Sequence, residues 1–341
     1  MKRILLTGAG APGGPGIIKA LKKEGFALYT GDCNPVASGR FLHDPFIQLP
    51  HAGDENFISF VLRYCQQEKI DAVFPLVTKE LFKFSEAKQA FANQGIRVIV
   101  SDHQSLCIAN DKGKLYQHLR SNKIPVPEFE IVGSLHQLQK AVTRLGYPGV
   151  PVCIKPTVSN GSRGVRILQE DIDEFTFFFE QKPNHLYCRL DRLTEILGNR
   201  PFPPMLVSEF LPGAEFTIDT IVQQGVPKMI LPRSRTKMNG GISVQGTFIK
   251  NEQIISYCKK IIRSLNLSGP IGLQVKADAN GNFKLLEINP RIQGTSVAAL
   301  GLGINLPALA VRQEFEPLDI DTSKIAWGTS FVRYYEEAFY K

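Results

Sequence analysis

The 341-residue sequence has no apolar run that approaches the length of a membrane-spanning helix, which needs about 20 such residues. Its six cysteines are scattered singly, with neither a CxxC pair nor the spacing of a metal site. They are therefore expected to be reduced packing thiols. The first residues enter a strand pattern directly, without the regions of a signal peptide, so a cytoplasmic protein with no membrane partner is expected.

Long basic runs are also missing from the sequence. The formal net charge of +8 comes from dispersed lysines and arginines, which suits anionic small molecules better than nucleic acid. No Ser/His/Asp or Cys/His arrangement stands out, and all six histidines precede residue 186. A mechanism with a side-chain nucleophile is therefore not indicated.

The first hundred residues alternate short apolar strands with helical patterns, which predicts a parallel sheet with helices on both faces. The turn Gly8-x-Gly10-x-x-Gly13, followed by Asp32 after the second strand, matches a dinucleotide-binding fingerprint. Pro12 and Pro15 remove two backbone N–H donors where a pyrophosphate would need them. A tight turn at the end of the sheet is the favoured interpretation, and an NAD-dependent oxidoreductase that uses Gly8–Gly13 and Asp32 is the alternative.

Beyond the prolines at 125 and 127 the pattern changes to α+β with antiparallel strands. A strand over 151–156 carries Lys155 to its exit, and a Gly/Ser loop over 157–165 leads into the next strand. This strand–loop–strand arrangement is not a P-loop, which would open a helix. It predicts a flap whose amides and hydroxyls fold over phosphates. Residues 233–241 are expected to form a basic, glycine-rich loop.

A strand over 282–289 ends in Glu287-Ile-Asn289-Pro-Arg291. Glu287 and Asn289 are two residues apart, so both side chains leave the same face of the strand. Pro290 stops the strand and places Arg291 on a loop. A carboxylate and an amide oxygen beside a guanidinium suit Mg²⁺ that bridges nucleotide phosphates.

The order of these parts resembles the ATP-grasp superfamily, and within it the carbamoyl-phosphate-synthase-like and amino-acid-ligase members. The resemblance rests on Lys155-Pro, the loop from Ser159 to Gly164, Glu209 with Glu215, Gln274, and Glu287-Ile-Asn289-Pro-Arg291. It implies a Rossmann-like, pre-ATP-grasp domain over 1–110. A small lobe with linker helices would follow over 111–210, and a C-terminal lobe with the metal site over 211–341.

The resemblance also implies roles for individual residues. Arg291, Lys155 and Arg235 would stabilise the transferred phosphate, and Gln274, Glu287 and Asn289 would hold Mg²⁺. Glutamine at 274 departs from the many members with an acid there, which leaves the number of metals open. The residues expected to bind ATP are Lys112, Lys155, Ser159, Gly161, Ser162, Gly164, Glu209, Phe210, Leu211 and Glu215.

The function implied by the resemblance is ATP-dependent ligation of a carboxylate to an amine through an acyl-phosphate, with ADP and phosphate as products. The implied cofactors are ATP and Mg²⁺, with Mn²⁺ as a substitute, and the partners are small-molecule substrates. Dimers are common in the resembling families, so a homodimer is a further expectation. Phosphorylation of bicarbonate or carbamate is the alternative within the same family, although the chain carries only one set of motifs. The identity of the substrates stays open.

Overall fold

A computed structural model describes residues 1–159, 161, 163–180, 186–198 and 200–340. The predicted phosphate-contacting residue Ser162 therefore lies outside the described residues. The chain divides into two compact units. The larger unit comprises residues 1–109, 215–275 and 286–341, and the smaller unit comprises residues 110–214 and 276–285. The three predicted domain ranges stay a prediction.

The larger unit begins with a five-stranded sheet in the order β3-β2-β1-β4-β5, in which every pair of neighbours is parallel. The doubly wound sheet predicted for the N-terminal third is confirmed. The helical segment from residue 78 to residue 92 is divided into two helices, because the chain leaves helical geometry at Ala87. The strands are β1 (Arg3–Thr7), β2 (Ala27–Asp32), β3 (Phe46–Gln48), β4 (Ala72–Pro75) and β5 (Arg97–Val98); the helices are α1 (Gly14–Lys22), α2 (Phe57–Gln67), α3 (Thr78–Glu86), α4 (Lys88–Ala92) and α5 (His103–Asn110).

The smaller unit contains a second five-stranded sheet, in the order β6-β10-β7-β8-β9. Side-chain caps start its first two helices: Asp111 accepts from the amides of Gly113 and Lys114, and Ser134 accepts from the amide of Gln137. The helices are α6 (Lys112–Ser121), α7 (Leu135–Arg144), α8 (Glu174–Glu180) and α9 (Leu190–Leu197); the strands are β6 (Phe129–Val132), β7 (Val152–Pro156), β8 (Arg166–Leu168), β9 (Tyr187–Cys188) and β10 (Met205–Glu209).

The remainder of the larger unit carries a four-stranded sheet in the order β12-β11-β15-β16 and a three-stranded sheet in the order β13-β14-β17. The last two residues of β15 and the first three of β16 belong to the smaller unit. These elements are β11 (Glu215–Gln223), β12 (Val226–Ser234), β13 (Lys237–Asn239), β14 (Ile242–Thr247), α10 (Glu252–Leu265), β15 (Gly269–Ala277), β16 (Phe283–Asn289), α11 (Leu306–Arg312) and β17 (Ser330–Val332).

The basic segment 233–241 is not the plain loop that the sequence suggested. Its first residues complete β12, and β13 pairs with β14 across a turn at Gly240 and Gly241. Both glycines have positive φ angles, +55° and +80°, which side-chain-bearing residues rarely adopt. The segment is therefore a hairpin, and β17 provides the second partner of β14.

None of the helices that the structure describes is long and apolar enough to cross a membrane.

Candidate active site

The predicted metal edge lies at the end of β16 in the larger unit. The Nδ2 of Asn289 donates to the Oε1 of Glu287 over 3.3 Å, which leaves the amide oxygen of Asn289 as an acceptor. Gln274 lies on β15, the strand next to β16 in the sheet. Gln274, Glu287 and Asn289 are all half-buried, so a metal ion can reach their side chains from solvent. One carboxylate and two amide oxygens are a donor set that fits Mg²⁺, or Mn²⁺ in its place.

The guanidinium of Arg291 is anchored close to this edge. Its Nε donates to the Oγ1 of Thr78 over 3.2 Å, and its Nη1 donates to the carbonyl of Ile292 over 2.9 Å. Burial lowers the pKa of Arg291, while the negative charge of Glu287 acts in the opposite direction. The structure therefore places Glu287 within electrostatic reach of Arg291 and fixes the guanidinium through its own loop and the start of α3.

The guanidinium of Arg235 is held by three groups. Its Nε pairs with the Oε1 of Glu215 over 2.8 Å, its Nη1 donates to the Oγ1 of Thr217 over 2.8 Å, and its Nη2 donates to the carbonyl of Gly241 over 3.0 Å. Burial lowers the pKa of Arg235, and the charges of Glu215 and Glu287 both raise it. Glu287 thus acts on two arginines. The predicted contact of Glu215 with ribose stays a prediction.

A buried ion pair joins β11 to β12, the strand that ends just before Arg235, and no local sequence pattern indicates this pair. The Nε of Arg233 lies 2.8 Å from the Oδ2 of Asp219, and both side chains are only 2% exposed. The other carboxylate oxygen of Asp219 accepts from the Nε2 of Gln293 at 3.0 Å and from the Oγ of Ser296 at 2.5 Å. This network ties β11 and β12 to the segment that follows Arg291.

The smaller unit brings together several of the residues predicted to contact the nucleotide. Lys112 and Lys155 are both buried, at 5% and 6% exposure. The Nζ of Lys112 donates to the carbonyl of Ser159 over 3.0 Å, so this lysine holds the start of the predicted flap. The Nζ of Lys155 lies 5.6 Å from the ring centroid of Tyr116. Gly161 and Gly164 have φ angles of +65° and +74°, which give the flap the tight turns that glycine permits.

The segment predicted to contact adenine follows β10. Among the described residues, no backbone hydrogen bond engages the amide or the carbonyl of Phe210 or Leu211, although Leu211 is 4% exposed. The carboxylate of Glu209 is occupied by Lys284 and by the amide of Glu128 at 3.1 Å. Unpaired backbone groups at a buried position favour a ligand that supplies the missing partners.

The glycine turn after β1 packs closely against the protein itself. A Cβ placed on Gly13 would lie 2.9 Å from the Cα of Gly294. The amide of Gly10 donates to the Oδ2 of Asp32 over 2.8 Å, which occupies the carboxylate that the alternative reading assigned to a ribose. Position 13 therefore requires glycine, because its backbone lies close to the backbone of Gly294 in the segment after Arg291. This close packing agrees with the interpretation of Gly8–Gly13 as a structural turn.

Replacing Gly13 with alanine is expected to destabilise the larger unit by about 1–3 kcal/mol, because the added methyl group meets backbone that cannot rotate away. Urea unfolding followed by the fluorescence of Trp327, the only tryptophan of the chain, measures the effect. Gly53→Ala is the matched control, since its nearest neighbour is the Nδ1 of His51 at an ordinary 3.4 Å. Equal stability of the two variants would refute the packing role.

A buried acid at the end of the parallel sheet was also missed by sequence reasoning. Glu80, on α3, is 7% exposed, and its Oε2 accepts from the Oγ1 of Thr7 over 2.6 Å. Burial raises the pKa of Glu80 to about 7, and the charge of Asp32 adds to the rise. An acid 73 residues from its partner carries no local pattern, so only the fold shows this pairing.

Comparison with known proteins agrees with this arrangement. Residues 4–99 match the family described as "PylC-like, N-terminal domain". Residues 201–330 match the family described as "ATP-grasp in the biosynthetic pathway with Ter operon". The chain therefore carries a PylC-like N-terminal segment followed by a segment that is similar to an ATP-grasp family. The fold class predicted from the sequence, a Rossmann-like domain followed by an ATP-grasp fold with antiparallel sheets, is confirmed.

Relatives and solved structures align with most of this chain. The carbamoyl phosphate synthase large chain of Archaeoglobus fulgidus is 25% identical over 346 residues, which cover 91% of this chain and 29% of the relative. The biotin carboxylase domain of the Hydrogenobacter thermophilus 2-oxoglutarate carboxylase, solved with MgADP, ADP and bicarbonate, has a TM-score of 0.71 at 16% identity and covers 96% of this chain and 73% of its own. The L-amino acid ligase of Bacillus licheniformis has a TM-score of 0.66 at 18% identity, covering 95% and 76%.

The matched regions of the curated relatives are short in comparison with their whole length. This chain spans 20% of the carbamoyl phosphate synthase large chain of Clostridium acetobutylicum and 29% of that of Archaeoglobus fulgidus.

Proposed function

We propose that the chain is an ATP-dependent ligase that joins a carboxylate to an amine through an acyl-phosphate and releases ADP and phosphate. The observation that carries the proposal is the end of β16, where Asn289 donates to Glu287 and the guanidinium of Arg291 is anchored two residues later, together with the guanidinium of Arg235 that is held by Glu215. The carboxylates of Glu287 and Glu215 balance the two guanidiniums in charge. A bound Mg²⁺ would add two positive charges to this balanced group, which suits the phosphates of ATP.

In the proposed reaction, an oxygen of the carboxylate substrate attacks the γ-phosphorus of ATP while the bond to ADP breaks. The amine then attacks the acyl carbon, phosphate leaves, and the amine loses a proton. Arg291 and Arg235 donate to the phosphoryl oxygens as charge develops on them. Mg²⁺, when held by Gln274, Glu287 and Asn289, would neutralise charge on the nucleotide phosphates. The half-buried oxygens of Glu287 and Asn289 at the end of β16, and of Gln274 on β15, support these assignments.

The smaller unit would supply the nucleotide contacts in this proposal. Lys112 and Lys155 would carry the positive charge, and the proposed phosphate-contacting residues are Ser159, Gly161, Ser162 and Gly164. The backbone of Glu209, Phe210 and Leu211 would bind the adenine edge, since the backbone groups of Phe210 and Leu211 have no hydrogen-bond partner among the described residues.

A phosphate-release screen over pairs of carboxylates and amines, with ATP and Mg²⁺, tests the proposal. We expect ADP and phosphate to form only when both substrates are present, and bicarbonate alone to give no turnover. Formation of AMP and pyrophosphate would overturn the mechanism. Turnover with bicarbonate and no added carboxylate would instead favour the carbamoyl-phosphate-synthase-like alternative. Heat stability measured with ATP–Mg²⁺ and with NAD separates the ligase from the oxidoreductase, because only the expected nucleotide raises the unfolding temperature.

A further inference from the structure

A third arginine near the proposed active site, Arg333, lies close to the buried pair of Arg233 and Asp219. Arg333 follows β17, and its amide donates to the carbonyl of Val244 over 2.8 Å, which extends the pairing with β14. Phe331 is two residues earlier and therefore lies on the same side of the strand. The guanidinium carbon of Arg233 is 5.7 Å from the centre of the Phe331 ring. Arg333 thus lies on the side of β17 that faces Arg233.

The charge of Arg333 is not balanced in the way that the neighbouring arginines are. Asp219 pairs with Arg233 and Glu215 pairs with Arg235. Within the described part of the chain, the side chain of Arg333 makes one hydrogen bond, from Nη2 to the carbonyl of Pro12 at 2.9 Å. A carbonyl carries no net charge, so four of the five N–H donors of this guanidinium and its full charge are available to a ligand.

Two further observations point to an anion at this position. Burial lowers the pKa of Arg333, the phenol of Tyr335 raises it, and the positive charge of Arg233 lowers it. A negative charge close to the two arginines would stabilise both groups. The Nη1 of Arg233 is buried and has no hydrogen-bond partner among the described residues. Guanidinium groups in such surroundings bind carboxylates and phosphates through two parallel hydrogen bonds.

We propose that Arg333 binds an anionic group of the substrate, a carboxylate or a phosphate, that is distinct from the reacting carboxylate. The inference rests on the proposed ligase function and narrows its substrate class to molecules that carry an additional anion, such as an amine substrate that is itself an amino acid. Arg233 adds positive electrostatic potential next to Arg333, and the carbonyl of Pro12 fixes the orientation of the Arg333 guanidinium. Arg235 follows Arg233 by two residues, so the anion site adjoins the group that would act on the phosphate.

Binding to the full-length chain tests the anion site without requiring turnover. The probes are glutarate and inorganic phosphate, each titrated at saturating ADP–Mg²⁺ while the unfolding temperature is followed. In Arg333→Gln we expect the apparent Kd for at least one probe to rise by about 10- to 100-fold, the usual effect of losing a hydrogen-bonded charge. Arg333→Lys keeps the charge and should lose less. Arg192→Gln, an exposed arginine of the smaller unit, should bind both probes as the unchanged protein does.

Equal probe affinity in the Gln variant and the unchanged chain would overturn the anion site, whether or not the ligase proposal survives. A response to glutarate alone identifies a carboxylate site, and a response to phosphate alone identifies a phosphate site. Once the phosphate-release screen yields an active pair, Arg333→Gln should raise the KM for the anion-bearing substrate and leave the KM for ATP unchanged. The Arg333→Gln variant and the unchanged chain should use the amide analogue of that substrate equally well. Absence of turnover together with intact, Arg333-dependent anion binding would refute the ligase and not the site.

Discussion

Replacement of Glu287 by glutamine is expected to lower ATP turnover by about 100- to 1,000-fold, the loss typical of removing one electrostatic contributor from a transition state. The change keeps the shape of the side chain and removes its charge. Arg235 and Arg291 would then lose the negative charge of Glu287, which raises the pKa of both. The proposed metal ligands Gln274, Glu287 and Asn289 would lose their one carboxylate. We therefore also expect the variant to need a higher Mg²⁺ concentration for half-maximal rate. Steady-state ADP formation over a Mg²⁺ series measures both effects.

Glu252→Gln is the matched control for this substitution. The side chain of Glu252 is 74% exposed, and among the residues that the structure describes it pairs with Lys250 alone, at 3.6 Å. Its neutralisation should therefore leave the rate and the Mg²⁺ dependence unchanged. Circular dichroism establishes that both variants are folded. If Glu287→Gln retained the full rate at every Mg²⁺ concentration, Glu287 would have no part in metal binding or phosphoryl transfer.

Replacement of Asp219 by asparagine is expected to destabilise the larger unit by about 3–5 kcal/mol, because a buried guanidinium is left without its counter-charge. Arg233 and Asp219 are each 2% exposed, so water cannot replace the lost carboxylate. Asparagine can keep a bond to Gln293 or Ser296, which confines the loss to the ion pair. Urea unfolding followed by the fluorescence of Trp327 reports on this unit, since the tryptophan packs against its core.

A second substitution separates the charge effect from a general packing defect. The double variant Asp219→Asn/Arg233→Met should recover much of the lost stability, because an apolar replacement of a buried pair is often neutral. Glu195→Gln breaks an exposed pair with Arg192, in which both side chains are 66% exposed, and should not shift the unfolding midpoint. A double variant no more stable than the single one would show that the charge is not the cause.

Much of the fold could be predicted from local patterns in the sequence. The alternation of strand and helix over the first hundred residues predicted the parallel sheet, and the position of Glu287 two residues from Asn289 predicted their shared face. The dipeptide Gln224-Gly225 is typical of a hairpin turn, and the structure pairs β11 with β12 in antiparallel orientation across it. These features depend on neighbours in sequence, where periodicity and turn chemistry act directly.

The charge partners in the site could not be predicted in the same way. Lys284 and Glu209 are 75 residues apart and Arg291 and Thr78 are 213 residues apart, and no local pattern links such residues. Thr217 is an exception. It follows Glu215 by two residues on β11, so its side chain lies on the same face of the strand, and a partner of Glu215 such as Arg235 could be expected to contact Thr217 as well. The hairpin over 237–247 was missed since its residues are polar and rich in glycine, and its pairing depends on β17 from the far end of the chain.

The contact of Gly13 with Gly294 has a consequence for recombination between relatives. Two backbones that approach this closely must be inherited together, because a side chain at position 13 would meet the backbone of Gly294. A chimera that exchanges the first hundred residues should therefore bring residues 291–297 from the same parent, including Val297, which packs where a Cβ of Gly16 would lie. Crossover points that separate the two segments should give insoluble products, although neither segment contains a residue that would bind a nucleotide base.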